Sequence, residues 1–312
     1  MADASLAAGV RLTRTPTPRS RFEAGVKIAL VAASLLSVVT TVCIVGSLLF
    51  ETLSFFGEVP VTDFLFGTKW SPTFAGEQAS FGVLPLLWGT LYLSLIALLV
   101  AVPLGLLSAI YLSEYAPPGV RRVIKPMLEL LAGVPTIVFG YFALTFFTPT
   151  ILQGLGIEVG VFNALSAGLI MGLLVLPTIA SIAEDAMSAV PQSLREGAYG
   201  LGASKLQVSL RVVFPAALSG IVASIVLAMS RAVGETMVVV LAGGLQPQWG
   251  ANVGQSMETL TAFIASTAGG DVPTGSVEYK TLFAVGTTLF VITLVINIIS
   301  IRFVRKYRHV YE

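Results

Sequence analysis

Histidine and cysteine are almost missing from this sequence. One histidine, His309, and one cysteine, Cys43, occur in 312 residues. A single cysteine closes no disulfide within the chain and, with one histidine, builds no zinc cluster. His309 sits in a basic tail, which leaves no candidate for a serine–histidine–aspartate triad. No G-x-x-x-x-G-K-[ST] loop is present to hold ATP, and no G-x-S-x-G elbow presents a nucleophile. "GLGASK" is glycine-rich but wrongly spaced for a phosphate loop. Charge is scarce as well: Asp, Glu, Lys and Arg make up 11% of the chain, against about 25% in soluble domains. None of the long apolar runs contains an aspartate, which argues against an intramembrane aspartyl protease. We therefore expect no catalytic residue, no metal site and no cofactor bound by this chain. Any work it does must draw on a separate ATPase or on an ion gradient.

What is present is apolar. Hydrophobic residues make up 55% of the chain and the mean hydropathy is +0.88. A membrane-spanning helix needs about 20 apolar residues, and six runs qualify: 28–50, 86–112, 127–147, 165–182, 216–241 and 281–301. Each is too long for a barrel strand and none alternates strictly. The fold class is an all-α polytopic membrane protein with six transmembrane helices. The first run is longer than a signal-peptide core and lacks a small-residue cleavage pattern, so it reads as a retained helix.

Lysine and arginine set the orientation. Fifteen of the eighteen fall in the N-terminal segment, the 2–3 loop, the 4–5 loop and the C-terminal tail; Lys69 and Lys280 lie in the alternate loops, and Arg231 lies inside a run. Both termini and the 2–3 and 4–5 loops are thus expected in the cytoplasm. The expected divisions are a flexible N-terminal segment 1–25, a first transmembrane helix 26–50, an external loop 51–83, a core 84–304 that includes a cytoplasmic loop 183–215, and a tail 305–312. A second external loop spans 244–280. Gly168 and Gly172 form a G-x-x-x-G pair, a signature of close helix crossing.

The stretch "AMSRAVGETMVVVLAG" places Arg231 and Glu235 inside the fifth run. A charge at mid-bilayer costs at least ~2.5–3.5 kcal/mol, so intramembrane charges default to a functional reading. Four residues apart, the two would share a helix face about 6 Å apart along the axis. One reading is a self-neutralised buried pair, although such pairs seldom stabilise strongly. The other is a switchable latch, in which Arg231 leaves Glu235 for a passing oxyanion or for a residue of a partner chain. Thr136 and Thr178 each follow a proline within a run, so their hydroxyls could line a polar path or serve as packing contacts. Glu129 follows Lys125 by four, which fits either a surface ion pair or a place on that path.

The 4–5 loop reads as a short helix over 191–199, a break at Gly200 and Gly202, and a second helix capped by Ser204. Such a knob is a docking site or a bare hairpin. Its sequence, "EGAYGLGASKLQVSLRVVFP", resembles the EAA loop of ABC-importer permeases: E-A-A, three residues, Gly, nine residues, an aliphatic, one residue, Leu-Pro. Glu196, Ala198, Gly202, Val212 and Pro215 fall in register; Gly197 replaces the first alanine and Phe214 the leucine. The stretches "FGVLPLLWGTLYLSLIALLVAVPLGLLSAIYLSEYAP", "ELLAGVPTIVFGYFAL" and "RAVGETMVVV" are similar to the permeases of the phosphate-specific (Pst) importer, to its PstC type more than to PstA.

The resemblance implies a type I ABC-importer permease core formed by helices 2–6, with the first helix peripheral. It implies a transport role for Arg231 and Glu235, with Glu129 in a family element. Glu196, Gly197, Ala198 and Gly202 would dock into an ATPase groove. The implied partners are a second, PstA-like permease, two PstB-like ATPase subunits carrying ATP and Mg²⁺, an external PstS-like phosphate-binding protein, and inorganic phosphate, with no nucleic acid. The implied location is a bacterial-type cytoplasmic membrane. The alternatives are a permease for another oxyanion, sulfate or molybdate, or a gradient-driven carrier. An inverted repeat, the mark of many such carriers, is not evident, and a membrane enzyme lacks a nucleophile–base constellation.

Overall fold

The computed structural model describes residues 18–74 and 78–306. Arg11 and Arg14 of the basic N-terminal segment, and Arg308 and His309 of the tail, lie outside the described residues. The chain separates into two compact units, residues 1–50 and 51–312. The first unit contains most of helix α1 (Pro18–Phe56). This helix starts inside the segment expected to be flexible, and it continues past residue 50 into the expected external loop. Its hydroxyls bond inward to carbonyls one turn back (Ser34 to Leu30, Thr40 to Leu36), which removes their need for water within an apolar helix.

The second unit begins with the end of α1, a short helix α2 (Val61–Phe66) and a two-residue antiparallel hairpin, β1 (Trp70–Ser71) with β2 (Ser80–Phe81). This hairpin is the one departure from an all-α fold among the described residues. Phe55, Phe64, Trp70 and Phe81 meet edge to face, and Trp70 packs on Phe263. The loop expected at 51–83 is therefore an ordered aromatic cap.

The core is built on α3 (Leu84–Ile110) and α6 (Ala164–Ser188). Leu93, Ala97 and Ala101 of α3 interlock with Ala167, Ile170, Met171 and Leu174 of α6. The small residues permit the approach: a Cβ on Gly172 would stand 2.8 Å from the Ala97 carbonyl oxygen, and one on Gly168 2.5 Å from an Ile96 methyl carbon. With little hydrophobic drive between helices in lipid, this backbone proximity supplies the packing. Gly172→Leu is expected to push α3 and α6 apart and cost about 1–3 kcal/mol or more. A fall in thermal unfolding temperature in detergent checks this.

Two of the expected spans are bent. The third is α4 (Pro118–Ala132) followed by α5 (Thr136–Phe142), which continues in wide π-helical turns to Leu152; the two parts meet at 87°. Gly133, Val134 and Pro135 form the break: glycine weakens a helix, and proline disfavours helical geometry at the residue before it. The fifth approaches through α8 (Lys205–Val208), a π-turn and α9 (Phe214–Ala216), then bends by 72° into α10 (Leu218–Val233). Helix α11 (Leu260–Ala268) lies within the second expected external loop, and α12 (Val277–Lys306) closes the fold. Among the described residues four helices are long and apolar enough to span a membrane, or up to six spans if each bent pair counts as one. The fourth span runs on to Ser188, taking in Glu184 and Asp185, so the loop expected from 183 starts later.

Candidate translocation and coupling sites

Helix α10 ends at Val233, with Gly234 as its cap. Glu235 and Thr236 are not helical, and helical geometry resumes at Met237 and widens into a π-turn over Val239–Gly243. Arg231 and Glu235 therefore do not share a helix face, contrary to the four-residue spacing. Among the described residues no carboxylate pairs with Arg231, which is half-buried. Glu235 is 7% exposed and otherwise engaged. Its carboxylate accepts the Val238 N–H at 3.2 Å, as a capping side chain does at a helix start. Its carbonyl accepts the Thr261 hydroxyl at 2.7 Å, and Thr261 meets the Thr259 hydroxyl that caps α11. The glutamate fastens the helix break to α11, and among the described residues the arginine is left without a carboxylate partner.

Helix α5 approaches this break closely: a Cβ on Gly140 would stand 2.9 Å from the Met237 carbonyl oxygen. Thr136 opens α5 and Thr178 follows Pro177 inside α6; both are half-buried. Glu129 is exposed on α4, in a cleft of about 430 Å³ that it shares with Arg121, Arg122 and Lys125. It does not pair with Lys125. That ammonium donates to Glu184 at 2.6 Å and to Asp185.

The 4–5 loop folds as its spacing foretells. Helix α7 (Gln192–Gly200) follows Pro191. Gly202 takes φ +81°, its N–H bonds the Tyr199 carbonyl at 2.9 Å, and the Ala203 N–H bonds the Ala198 carbonyl at 3.1 Å. This pair of bonds is a Schellman turn, and its left-handed position suits glycine. Ser204 and Gln207 then form a reciprocal capping box at the start of α8. Glu196, Gly197 and Gly202 face outward and Ala198 is half-buried. Leu201 is 91% exposed, with Tyr199 and Leu206 also exposed nearby. Exposed apolar side chains rimmed by charge mark a protein contact.

Sequence reading missed the ionic contacts behind this knob. Arg195, 9% exposed, points inward and donates to Glu114 at 2.9 Å, to the Met187 carbonyl at 2.8 Å and to the Val190 carbonyl. Glu184 is fully buried and holds Arg121 and Lys125 of α4. One signal was available: two acids near the C-terminal end of an apolar helix oppose its dipole and call for cations.

Glu258, in the segment before α11 and outside the candidate spans, is 5% exposed and makes no side-chain hydrogen bond among the described residues. Burial pushes its carboxyl up to about 8 from an ordinary 4.5. The folded state thus binds the proton more tightly than the unfolded chain does. The stability this contributes is full below about pH 4.5 and is lost as pH rises toward about 8. Unfolding temperature is expected to fall between pH 5 and 9, by a component that Glu258→Gln removes.

Residues 101–309 match the family described as "Binding-protein-dependent transport system inner membrane component". The chain belongs to that family. Among relatives of this permease, the probable ABC transporter permease protein YqgH of Bacillus subtilis (strain 168) is 35% identical over 254 residues, covering 81% of this chain and 80% of the relative. The phosphate transport system permease protein PstC of Mesorhizobium japonicum is 36% identical over 271 residues, covering 80% and 79%. That of Haemophilus influenzae is 33% identical over 292 residues, covering 87% and 88%. Solved structures share the fold. A bacterial alginate ABC transporter in complex with an alginate-bound periplasmic protein aligns with TM-score 0.61 at 17% identity, over 88% of this permease and 93% of that chain. An inward-facing MetNI methionine ABC transporter aligns with TM-score 0.56 at 20% identity, over 73% and 96%. The permease thus has the type I ABC-importer fold and is a non-catalytic membrane subunit; in such transporters ATP hydrolysis belongs to a separate subunit.

Proposed function

We propose that this permease is the PstC-type transmembrane subunit of an ATP-driven inorganic phosphate importer, placed in a bacterial cytoplasmic membrane with both termini inside. The observation that carries the coupling role is the knob turned at Gly202, with Leu201 almost fully exposed beside Glu196. The substrate reading is supported by the relatives named PstC at 33–36% identity over most of the chain. A second, PstA-like permease completes the pathway with the core of helices 2–6. Two PstB-like ATPases, which carry ATP and Mg²⁺, receive the knob at Glu196, Gly197, Ala198 and Gly202. A PstS-like binding protein delivers phosphate to the outer loops 51–83 and 244–280, in which Asp and Glu outnumber Lys. ATPase closure rocks the knob and opens the permeases outward.

Arg231, Glu235, Thr136, Thr178 and Glu129 are proposed to act along the translocation path. In this conformation the guanidinium of Arg231, without a carboxylate partner among the described residues, is available to an oxyanion or to the partner permease; a planar fork of donors suits phosphate oxygens. The test is co-purification followed by uptake in proteoliposomes. Recovery with an ATPase and a second permease, and ATP-dependent phosphate uptake that sulfate and molybdate do not compete away, is the expected result. Uptake driven by an ion gradient alone, or competition by sulfate, overturns the reading.

A further inference from the structure

Arg195 lies one residue before the docking glutamate Glu196 on the same helix, yet the two differ in burial. Glu196 is exposed, and Arg195 is buried against the ends of two long helices. Its Nη2 and Nε both donate to Glu114, at 2.9 and 3.3 Å. Glu114 sits in the π-helical turn Tyr111–Tyr115 that ends α3. The same guanidinium donates to the Met187 carbonyl, which also accepts the Val190 N–H at 3.2 Å, and to the Val190 carbonyl just past the C-terminal end of α6. One side chain thereby joins α7, α3 and α6. The connection continues, because Glu184, one turn before Ser188, holds Arg121 and Lys125 of α4.

A buried ion pair is weak as a source of stability, since desolvation offsets most of its attraction. It is strong as a positional constraint, because a planar fork engaging three acceptors fixes both distance and orientation. A second contact works in the same sense: Lys205, just past the turn, lies over the Tyr115 ring at 4.8 Å.

We infer that Arg195 is the positioning residue that makes the docking knob move as one body with the ends of α3 and α6, so that displacement of the knob reaches the membrane helices rather than being absorbed in the loop. This rests on the proposed role of the knob in ATPase docking. The residue touches neither substrate nor nucleotide. Its effect is on how much transport each ATP yields.

The test uses the complete complex in proteoliposomes: permease, partner permease, ATPases and external binding protein. Phosphate imported per ATP hydrolysed is the readout, normalised to ATPase retained on the permease. Arg195→Met and Glu114→Gln are each expected to lower this ratio about tenfold, within the usual range of a coupling free energy. The double variant is expected to be no worse than either single one, as residues acting through one contact are non-additive. Arg195→Lys is expected to recover part of the ratio, having a charge but no fork. An unchanged ratio, additive losses, or a loss explained by missing ATPase overturns the inference. Glu114→Gln keeps both carbonyl bonds of Arg195 and carries the test if Arg195→Met does not assemble. Absence of ATP-driven phosphate uptake in the wild-type complex would instead sink the proposed function; intact wild-type uptake with unaffected variants sinks only the role of Arg195.

Discussion

Gly202→Asp is expected to leave a folded, ATP-hydrolysing complex whose phosphate uptake falls about tenfold or more. Two effects combine. The position has φ +81°, where most side chains cost roughly 1–2 kcal/mol and aspartate less, so the Schellman bonds of Tyr199 and Ala198 loosen only modestly. The new carboxylate also enters an apolar contact surface next to Leu201, where an unpaired charge is penalised once the partner covers it. Space alone does not forbid the change, since nothing lies within 4 Å of a Cβ built there. Gly202→Asn isolates the charge, because asparagine and aspartate both tolerate the left-handed region and only aspartate is charged. It should retain most coupling. Gly197→Ala is the opposite control: Gly197 is helical with open space beyond its Cα, and alanine is worth up to about 1 kcal/mol of helix stability there. Uptake and ATPase rates measured side by side on the three variants decide the matter, and unchanged coupling in Gly202→Asp would remove the docking role.

The knob was legible because its signals are local. Pro191, Gly202 and the cap at Ser204 act through bonds spanning five residues or fewer, so spacing alone determines them; the reciprocal bond from Gln207 came only with the structure. The G-x-x-x-G crossing was legible for a similar reason: small residues one turn apart have few other uses in an apolar helix. The bend at Gly133–Pro135 and the helix break at Gly234 were not legible from run length. Hydropathy averages across Gly133–Pro135 and across Gly234, and it cannot tell a straight span from two short helices meeting at 87°. The ionic contacts escaped for a different reason. Glu114 and Arg195 are 81 residues apart, and Lys125 and Glu184 are 59 apart; no sequence period connects them. The local rule of four-residue pairs pointed Lys125 to Glu129 and Arg231 to Glu235. Tertiary structure gave Lys125 a better anion, and a helix break moved Glu235 off the face of Arg231.

That break separates two variants which a paired latch would treat alike. Arg231→Gln is expected to lower phosphate uptake by about a hundredfold with assembly intact, near the upper end of what losing a charge-assisted, bidentate contact costs. Arg231→Lys should recover only part of it, since an ammonium supplies charge without the fork. Glu235→Gln should behave differently. The amide oxygen can still accept the Val238 N–H that the carboxylate accepts at 3.2 Å, and the bond from Thr261 goes to the backbone carbonyl, which the substitution does not touch. Uptake in Glu235→Gln is therefore expected to stay within a few-fold of wild type, while Glu235→Ala, which removes the acceptor, loses about 0.5–2 kcal/mol of local stability as a missing cap does. Equal and severe losses in Arg231→Gln and Glu235→Gln would show that the two charges act on each other during the cycle, in a conformation where the helix runs unbroken through Gly234. A large loss confined to Arg231 would show that the glutamate serves the backbone and the arginine serves the anion.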